Sequence, residues 1–196
     1  MDTALTILTV GHSRHPLERF LSLLTGAQVT AIADVRSSPA SRFSPQFNKT
    51  ALAASLAGHG IDYVFLGKEL GGRPAWSEMY TDGRADYGKM AASPEFRAGL
   101  AQLIELARRH GVAAMCSEAD PLDCHRCLLV GRALTEAGHG VAHILASGEI
   151  APQAEIEDRL LKLENLADDD LLVRSRAERL AEAYQSRNRK VGYAKQ

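Results

Sequence analysis

The chain has 196 residues, 45% of them apolar and 24% charged, which suits one soluble globular domain with a sizeable core. A net charge of -1 and a pI near 6.7 exclude a global electrostatic pull toward nucleic acid or anionic membrane, and no apolar run reaches the roughly 20 residues of a membrane span. Only three cysteines occur, all between Cys116 and Cys127, and the N-terminus lacks a signal-peptide pattern. A secreted disulfide framework is therefore not expected, and the reading is a cytoplasmic protein.

Leu5 to Val10 is short and β-branched and ends at Gly11, so it reads as a strand. Pro16 opens a helix through Leu17, Phe20, Leu21 and Leu24, closed by Gly26. Val29 to Val35 is a second strand, and the Ser- and Pro-rich run from Ser37 to Pro45 is loop. Asn48 is placed to cap a helix through Leu52 and Leu56. Ile61 to Leu66 is a third strand, followed by a Gly-rich loop to Pro74. Ala75 to Ala92 reads as an irregular insertion with short helical turns. Ser93-Pro94-Glu95 starts a helix that runs to Gly111, and Val112 to Met115 is a fourth strand. A loop holding Cys116, Ser117, Glu118 and Asp120 leads to Pro121 and a helix from Leu122 to Ala137. Val141 to Ala146 is a fifth strand, and Pro152 opens a charged helix. Asp168-Asp169-Asp170 breaks that helix and is placed to cap a last one through Leu172, Leu180 and Ala183.

This order predicts an α/β fold: a parallel-type sheet of about five strands with helices on both faces. Residues 1–150 form the α/β domain, 151–187 a helical extension packed on it, and 188–196 a basic, mobile tail. Ligands of such sheets bind outside the carboxyl ends of the strands. Those ends carry Gly11-His12-Ser13-Arg14, Asp34-Val35-Arg36-Ser37, Lys68 to Arg73 with Gly71-Gly72, and Cys116 to Arg126, whereas the strand starts are plain.

Each group also has an ordinary structural role to fill. Ser13 suits a helix cap, Asp34 and Arg36 share one side of a strand and suit mutual pairing, and Gly71-Gly72 suits a tight turn. Cys116, Cys124, His125 and Cys127 match a Cys₃His zinc set on composition, but paired knuckles are missing and no metal ligand is assigned. A phosphate-cradling loop running from a cysteine to an arginine six residues on is excluded, because Leu122 and Val130 stand at those places.

Val10-Gly11-His12-Ser13, Asp34-Val35-Arg36-Ser37 with Ser41-Arg42 and Pro45-Gln46-Phe47-Asn48, Leu70-Gly71-Gly72, and Cys116-x-Glu118-x-Asp120-Pro121-x-x-Cys124-His125-Arg126 stand in order. Over about Thr6 to Leu145 the chain resembles the domain-of-unknown-function 488 family. Cys127 departs from the pattern, which has Ser or another small residue there. The resemblance implies a compact α/β domain with a polar site at the strand ends and implies no settled activity.

The leading expectation is a hydrolase or transferase acting on an anionic, nucleotide-like or nucleic-acid substrate. Glu118 or Asp34 supplies the acid or base, with His12 and His125 as alternatives and Cys124 as a nucleophile in a minor branch. Arg14, Arg36, Arg42 and Arg126 hold the anion. Ser13, Asn48, Gly71, Gly72, Cys116 and Asp120 complete the binding surface. Two other readings stand: a non-catalytic nucleic-acid-binding module using Arg36, Arg42, Phe43, Phe47 and the basic tail, and a metal-binding protein using Cys116, Cys124 and His12 or His125. No cofactor is assigned, no membrane partner is expected, and the oligomeric state is left open.

Overall fold

The computed structural model describes residues 4–167 and 174–195. The Asp168-Asp169-Asp170 break and Leu172 lie outside the described residues. The main sheet is built from β1 (Thr6–Gly11), β2 (Ala31–Asp34), β3 (Asp62–Phe65), β6 (Val112–Cys116), β7 (Gly140–Ile144) and β8 (Ile150–Pro152). Its spatial order is β3-β2-β6-β1-β7-β8. The first five strands in that order are parallel, and β8 pairs antiparallel with β7 as an edge. The five parallel strands expected from hydrophobic runs are therefore present. β8 is an addition: the turn at Gly148 (φ +97°) returns the chain along β7 before Pro152, so the helix begins one residue later than the proline suggested.

Alternation along the strands sorts the core into two layers. Val10, Ile32, Ala113 and Met115 pack with Phe20 and Leu24 of α1 (Leu17–Gly26) and with Leu52 and Leu56 of α2 (Lys49–Ala57). Ile7, Ala33, Ala114 and Cys116 face the other layer, which holds Phe96 and Leu103 of α4 (Pro94–Ala107) and Ile156 and Leu160 of α6 (Gln153–Leu163). The insertion before α4 contains a two-stranded hairpin, β4 (Tyr80–Thr81) and β5 (Arg84–Ala85), turned at Asp82-Gly83, and then α3 (Tyr87–Ala92). Asp86 caps α3 by accepting from the backbone N–H groups of Gly88 and Lys89.

The element after β6 is not one helix. Pro121–Asp123 is a 3-10 turn, Cys124 is extended (φ −139°, ψ 141°), and Arg126–Gly131 is a π-helical turn that runs into α5 (Arg132–Glu136). Such wide turns recur at functional sites. The C-terminal α7 (Arg176–Val191) is fixed at its start by a capping box between Ser175 and Glu178. Residues 188–191, expected as part of a tail, are its last turn, and Ala194 then pairs with Arg84. Among the described residues, no helix is long and apolar enough to cross a membrane.

Candidate functional site

The register of the sheet brings the predicted motifs together. Gly11 pairs with Cys116, and Asp34 pairs with Met115 on one side and Phe65 on the other. The β1 and β6 ladders continue into their loops: His12 N–H donates to the Cys116 carbonyl and Ser13 N–H to that of Ser117, both at 2.9 Å. Ser13 takes a positive φ of 48° to do so. A Cβ on Gly11 would overlap the Glu118 carbonyl, so only glycine lets the β6 loop cross the end of β1 at this height. Gly71 is packed as tightly against the Gly67 carbonyl and the Ser37 hydroxyl, and a Cβ on Gly72 would lie 2.8 Å from His125 Cγ. The two glycines thus serve close approach of loops.

Asp34 and Arg36 form a buried pair, with Nε to Oδ1 at 2.9 Å and Nη2 to Oδ2 at 2.6 Å. Tyr63 Oη donates to Asp34 Oδ2 at 2.6 Å, and Arg36 also donates to the Phe47 carbonyl and to His12 Nε2. Arg36 is 5% exposed and Asp34 fully buried. His12 Nδ1 donates to the Ser13 carbonyl, and its ring stacks on Phe47 with centroids 4.3 Å apart. Burial, with Arg36 beside it, lowers the His12 pKa to about 4. The groups expected as acid, base and anion holder here are thus occupied with one another.

Arg126 is also buried. Its Nη1 and Nη2 donate to the carbonyls of Glu118 and Ala119 at 2.7 and 2.9 Å, and Nη1 lies 3.4 Å from Cys116 Sγ. The guanidinium therefore staples the β6 loop from below. Asp120 caps the 3-10 turn through Leu122 N–H and pairs with Arg159 of α6 at 2.6 Å. Burial raises the Asp120 pKa, but the Leu122 and Arg159 contacts outweigh it and the net shift is downward. Asp123 pairs with Arg187, whose Nε also donates to the Leu122 carbonyl, so α7 clamps the same loop. Asn48 stands at the start of α2, yet its side-chain oxygen accepts from Ser41 N–H at 2.6 Å, closing the serine-rich loop rather than capping the helix.

The sulfurs of Cys116 and Cys124 meet as a disulfide, a contact not expected from the small cysteine count; the turn at Asp120-Pro121 folds the chain back and brings them together. Glu118 Oε2 lies 2.7 Å from Cys116 Sγ, and the backbone N–H of Arg126 points at Cys124 Sγ at 3.4 Å. His125 Nε2 is 2.9 Å from the Val35 carbonyl and must donate to it, so Nδ1 carries the free lone pair, 3.7 Å from Cys124 Sγ. Burial lowers the His125 pKa, which favours the neutral ring. Cys127 faces away: it is buried beside Gln153, and burial raises its thiol to about 12.

Two connected hollows open at this edge. One, of about 250 Å³, is lined by Cys116, Cys124, His125, Tyr87, Arg73 and Tyr193. The other, of about 390 Å³, is lined by Ser13, Arg14, Ser38, Ser41 and Phe43. Arg36, Ser38, Ser117 and Glu118 border both. Arg14 and Glu118 are exposed, and Phe43 is 81% exposed. Arg42, also exposed, lies over the Phe43 ring at 4.7 Å. Tyr63, Arg73 and Tyr193 were not singled out from sequence; Tyr63 alone carries a signal there, as a phenol on a strand next to the Asp34 strand.

A larger hollow of about 760 Å³ lies away from the strand ends, between α3, α5 and α7. Two of its polar side chains are already engaged: Arg132 with Glu136 and the Tyr184 ring, Asn188 with Tyr87 N–H and the Ala85 carbonyl. The smaller edge hollows hold the unusual chemistry and the position that parallel sheets use for ligands.

Fold and site together define a mostly parallel α/β domain whose cleft at the strand carboxyl edge is lined by the Cys116–Cys124 disulfide and the Glu118 carboxylate. The family model described as "Domain of unknown function DUF488" matches residues 16–133, more than half of the chain, and the protein belongs to that family. The matched segment holds β2, the Gly71-Gly72 loop and the whole Cys116–Arg126 stretch, while Gly11 to Arg14 precede it. No curated protein and no solved structure matches the chain.

Proposed function

We propose that this edge is the active site of a hydrolase or group-transfer enzyme taking an anionic, nucleotide-like substrate. The observation that carries the reading is the position of Glu118. Its carboxylate is exposed, borders both hollows and touches Cys116, on a loop held rigid by a buried arginine and a glycine contact. A carboxylate placed so is suited to take a proton from an attacking water or hydroxyl, or to return one to a leaving group. With Arg36 and Arg126 engaged in the fold, Arg14 and Arg42 are the guanidinium groups positioned for a substrate anion, and Phe43 offers a face on which a base can stack.

The non-catalytic nucleic-acid reading has less support. Phe47 is buried under His12, Arg36 is paired, and Arg187 and Lys190 form ion pairs with Asp123 and Glu164. The test uses a fluorescent nucleoside monophosphate and a short single-stranded oligonucleotide. Arg14→Ala and Arg42→Ala are expected to weaken binding of the mononucleotide by about tenfold each, a loss of one charge-assisted contact. Glu118→Gln keeps binding and abolishes turnover of whichever probe is processed. Binding unchanged in both arginine variants overturns the assignment. Binding of the oligonucleotide alone, steeply weakened by salt, favours the non-catalytic reading instead.

A further inference from the structure

We infer that the reduced form of this cleft binds a thiophilic divalent metal of the zinc class through Cys116 Sγ, Cys124 Sγ and His125 Nδ1. The inference deepens the enzyme reading and rests on it only for what the metal would do. Three independent observations point to a ligand set. First, the three candidate donor atoms lie within 4.8 Å of one another, at the end of the central strand and on the turn that follows it. Reduction breaks the bond between the two sulfurs, and a small parting then lets all three donors reach one ion about 2.3 Å from each sulfur and about 2.0–2.1 Å from the imidazole nitrogen. Second, the histidine is already oriented as a ligand. Its Nε2 donates to the Val35 carbonyl and Gly72 packs on the ring, which leaves Nδ1 unprotonated and turned toward Cys124. Ligating histidines are oriented in this way, with the second nitrogen bonded to a carbonyl or carboxylate. Third, each sulfur faces an N–H donor: the Arg126 guanidinium at Cys116 and the Arg126 backbone N–H at Cys124, both at 3.4 Å. These donors are placed to share the negative charge of two metal-bound sulfurs.

Three protein ligands are what a catalytic zinc site provides, the fourth position being left to water or substrate. Glu118, two residues after the first ligand, stands beside that cluster as the proton carrier. A ligand–x–Glu arrangement with a carboxylate that handles the proton of a metal-activated water is known chemistry for hydrolytic attack on nucleobases. The substrate class that follows is a nucleobase or related amidine or amide carbon, with the Arg14 side of the cleft holding its phosphate. Cys127 has no part in the set, because it is buried on the far side of its helical turn against Gln153.

The experiment is titration of metal-free, reduced protein with cobalt(II), read by thiolate-to-cobalt charge-transfer absorption, and competition by zinc. The expected result is one metal per chain, with binding lost in Cys124→Ser, weakened more than about tenfold in His125→Gln, and unchanged in Cys127→Ser. Protein oxidised to the Cys116–Cys124 disulfide is expected to bind none. Circular dichroism on each variant separates lost ligation from lost folding; should Cys124→Ser unfold, His125→Gln and the oxidised protein carry the test. No stoichiometric metal in the reduced protein, or equal loss in Cys127→Ser, overturns the inference. Nucleotide turnover by metal-free protein overturns the catalytic role given to the metal and leaves the enzyme reading standing, whereas metal binding without any nucleotide binding overturns the enzyme reading alone.

Discussion

Breaking the Asp34–Arg36 pair tests whether these residues belong to the fold or to a ligand. Asp34 accepts from Arg36 Nε, Nη2 and backbone N–H and from Tyr63 Oη, and both side chains are almost wholly buried. Arg36→Met leaves a buried carboxylate with only two neutral donors, Tyr63 Oη and the backbone N–H of residue 36, and Asp34→Leu leaves a buried guanidinium facing an apolar group. Removing one partner of such a pair costs about 3–5 kcal/mol, a fifth or more of the roughly 5–15 kcal/mol that keeps a domain folded. Replacing both together is far milder, because neither charge is stranded. What remains is the loss of neutral partners for Tyr63 Oη, the backbone N–H of residue 36 and the Phe47 carbonyl, about 1–3 kcal/mol for each group left buried and unpaired, and the single variants share part of it. The double variant is therefore expected to be more stable than either single one. Urea unfolding followed by far-UV circular dichroism measures all three, with unchanged m-values as the check that the transition stays cooperative. Additive single effects, or single losses below about 1 kcal/mol, would refute the reasoning and return Arg36 to the ligand.

Stability is also expected to fall as pH drops from about 6.5 to about 4. The folded-state pKa values of His12 and His143 are both lowered by burial to about 4, below the value of 6.5 for an unperturbed imidazole. The unfolded chain then takes up protons that the folded chain refuses, so the contribution is full above 6.5 and lost as pH falls through 4. For His143 the geometry gives the reason: Nε2 faces Gln153 Oε1 at 2.6 Å and Nδ1 faces the Thr9 hydroxyl at 2.7 Å, a neutral tautomer satisfied at both nitrogens. NMR titration should find both rings unprotonated down to pH 5, and a midpoint near 6.5 for either contradicts the assignment. Gly11→Ala should destabilise by at least about 3 kcal/mol, because its Cβ meets the Glu118 backbone, which cannot swing aside. Gly26→Ala, with nothing within 4 Å, should stay within about 0.5 kcal/mol; equal effects in urea unfolding would mean that the β6 loop does not ride on Gly11.

The sheet was legible because five apolar runs ended in glycine or charge, and parallel topology then placed those ends on one edge. The roles of the edge residues were less legible, for a reason that lies in packing. A sequence displays that Arg36 and Arg126 carry charge, but not that their forks point inward to the Asp34 carboxylate and to the loop carbonyls of Glu118 and Ala119. Arg14, in contrast, remains at the surface. The break at Cys124 was hidden because Leu122 to Ala137 has good helical periodicity; the Asp120 cap and the Arg187 clamp at Leu122 and Asp123 pull the first turn out of line. The closeness of Cys116 and Cys124, eight residues apart, depends on that same break.

The most direct test of the central claim, that the ligand cleft lies where β1, β2 and β6 end, is amide chemical-shift mapping of the reduced protein with a nucleoside monophosphate. The account predicts shifts clustered at Ser13, Arg14, Ser38, Ser117, Glu118 and His125, and no saturable change around Arg132 and Tyr184. Saturable shifts confined to that second hollow between α3, α5 and α7, or no saturable shifts at the strand edge, would contradict it.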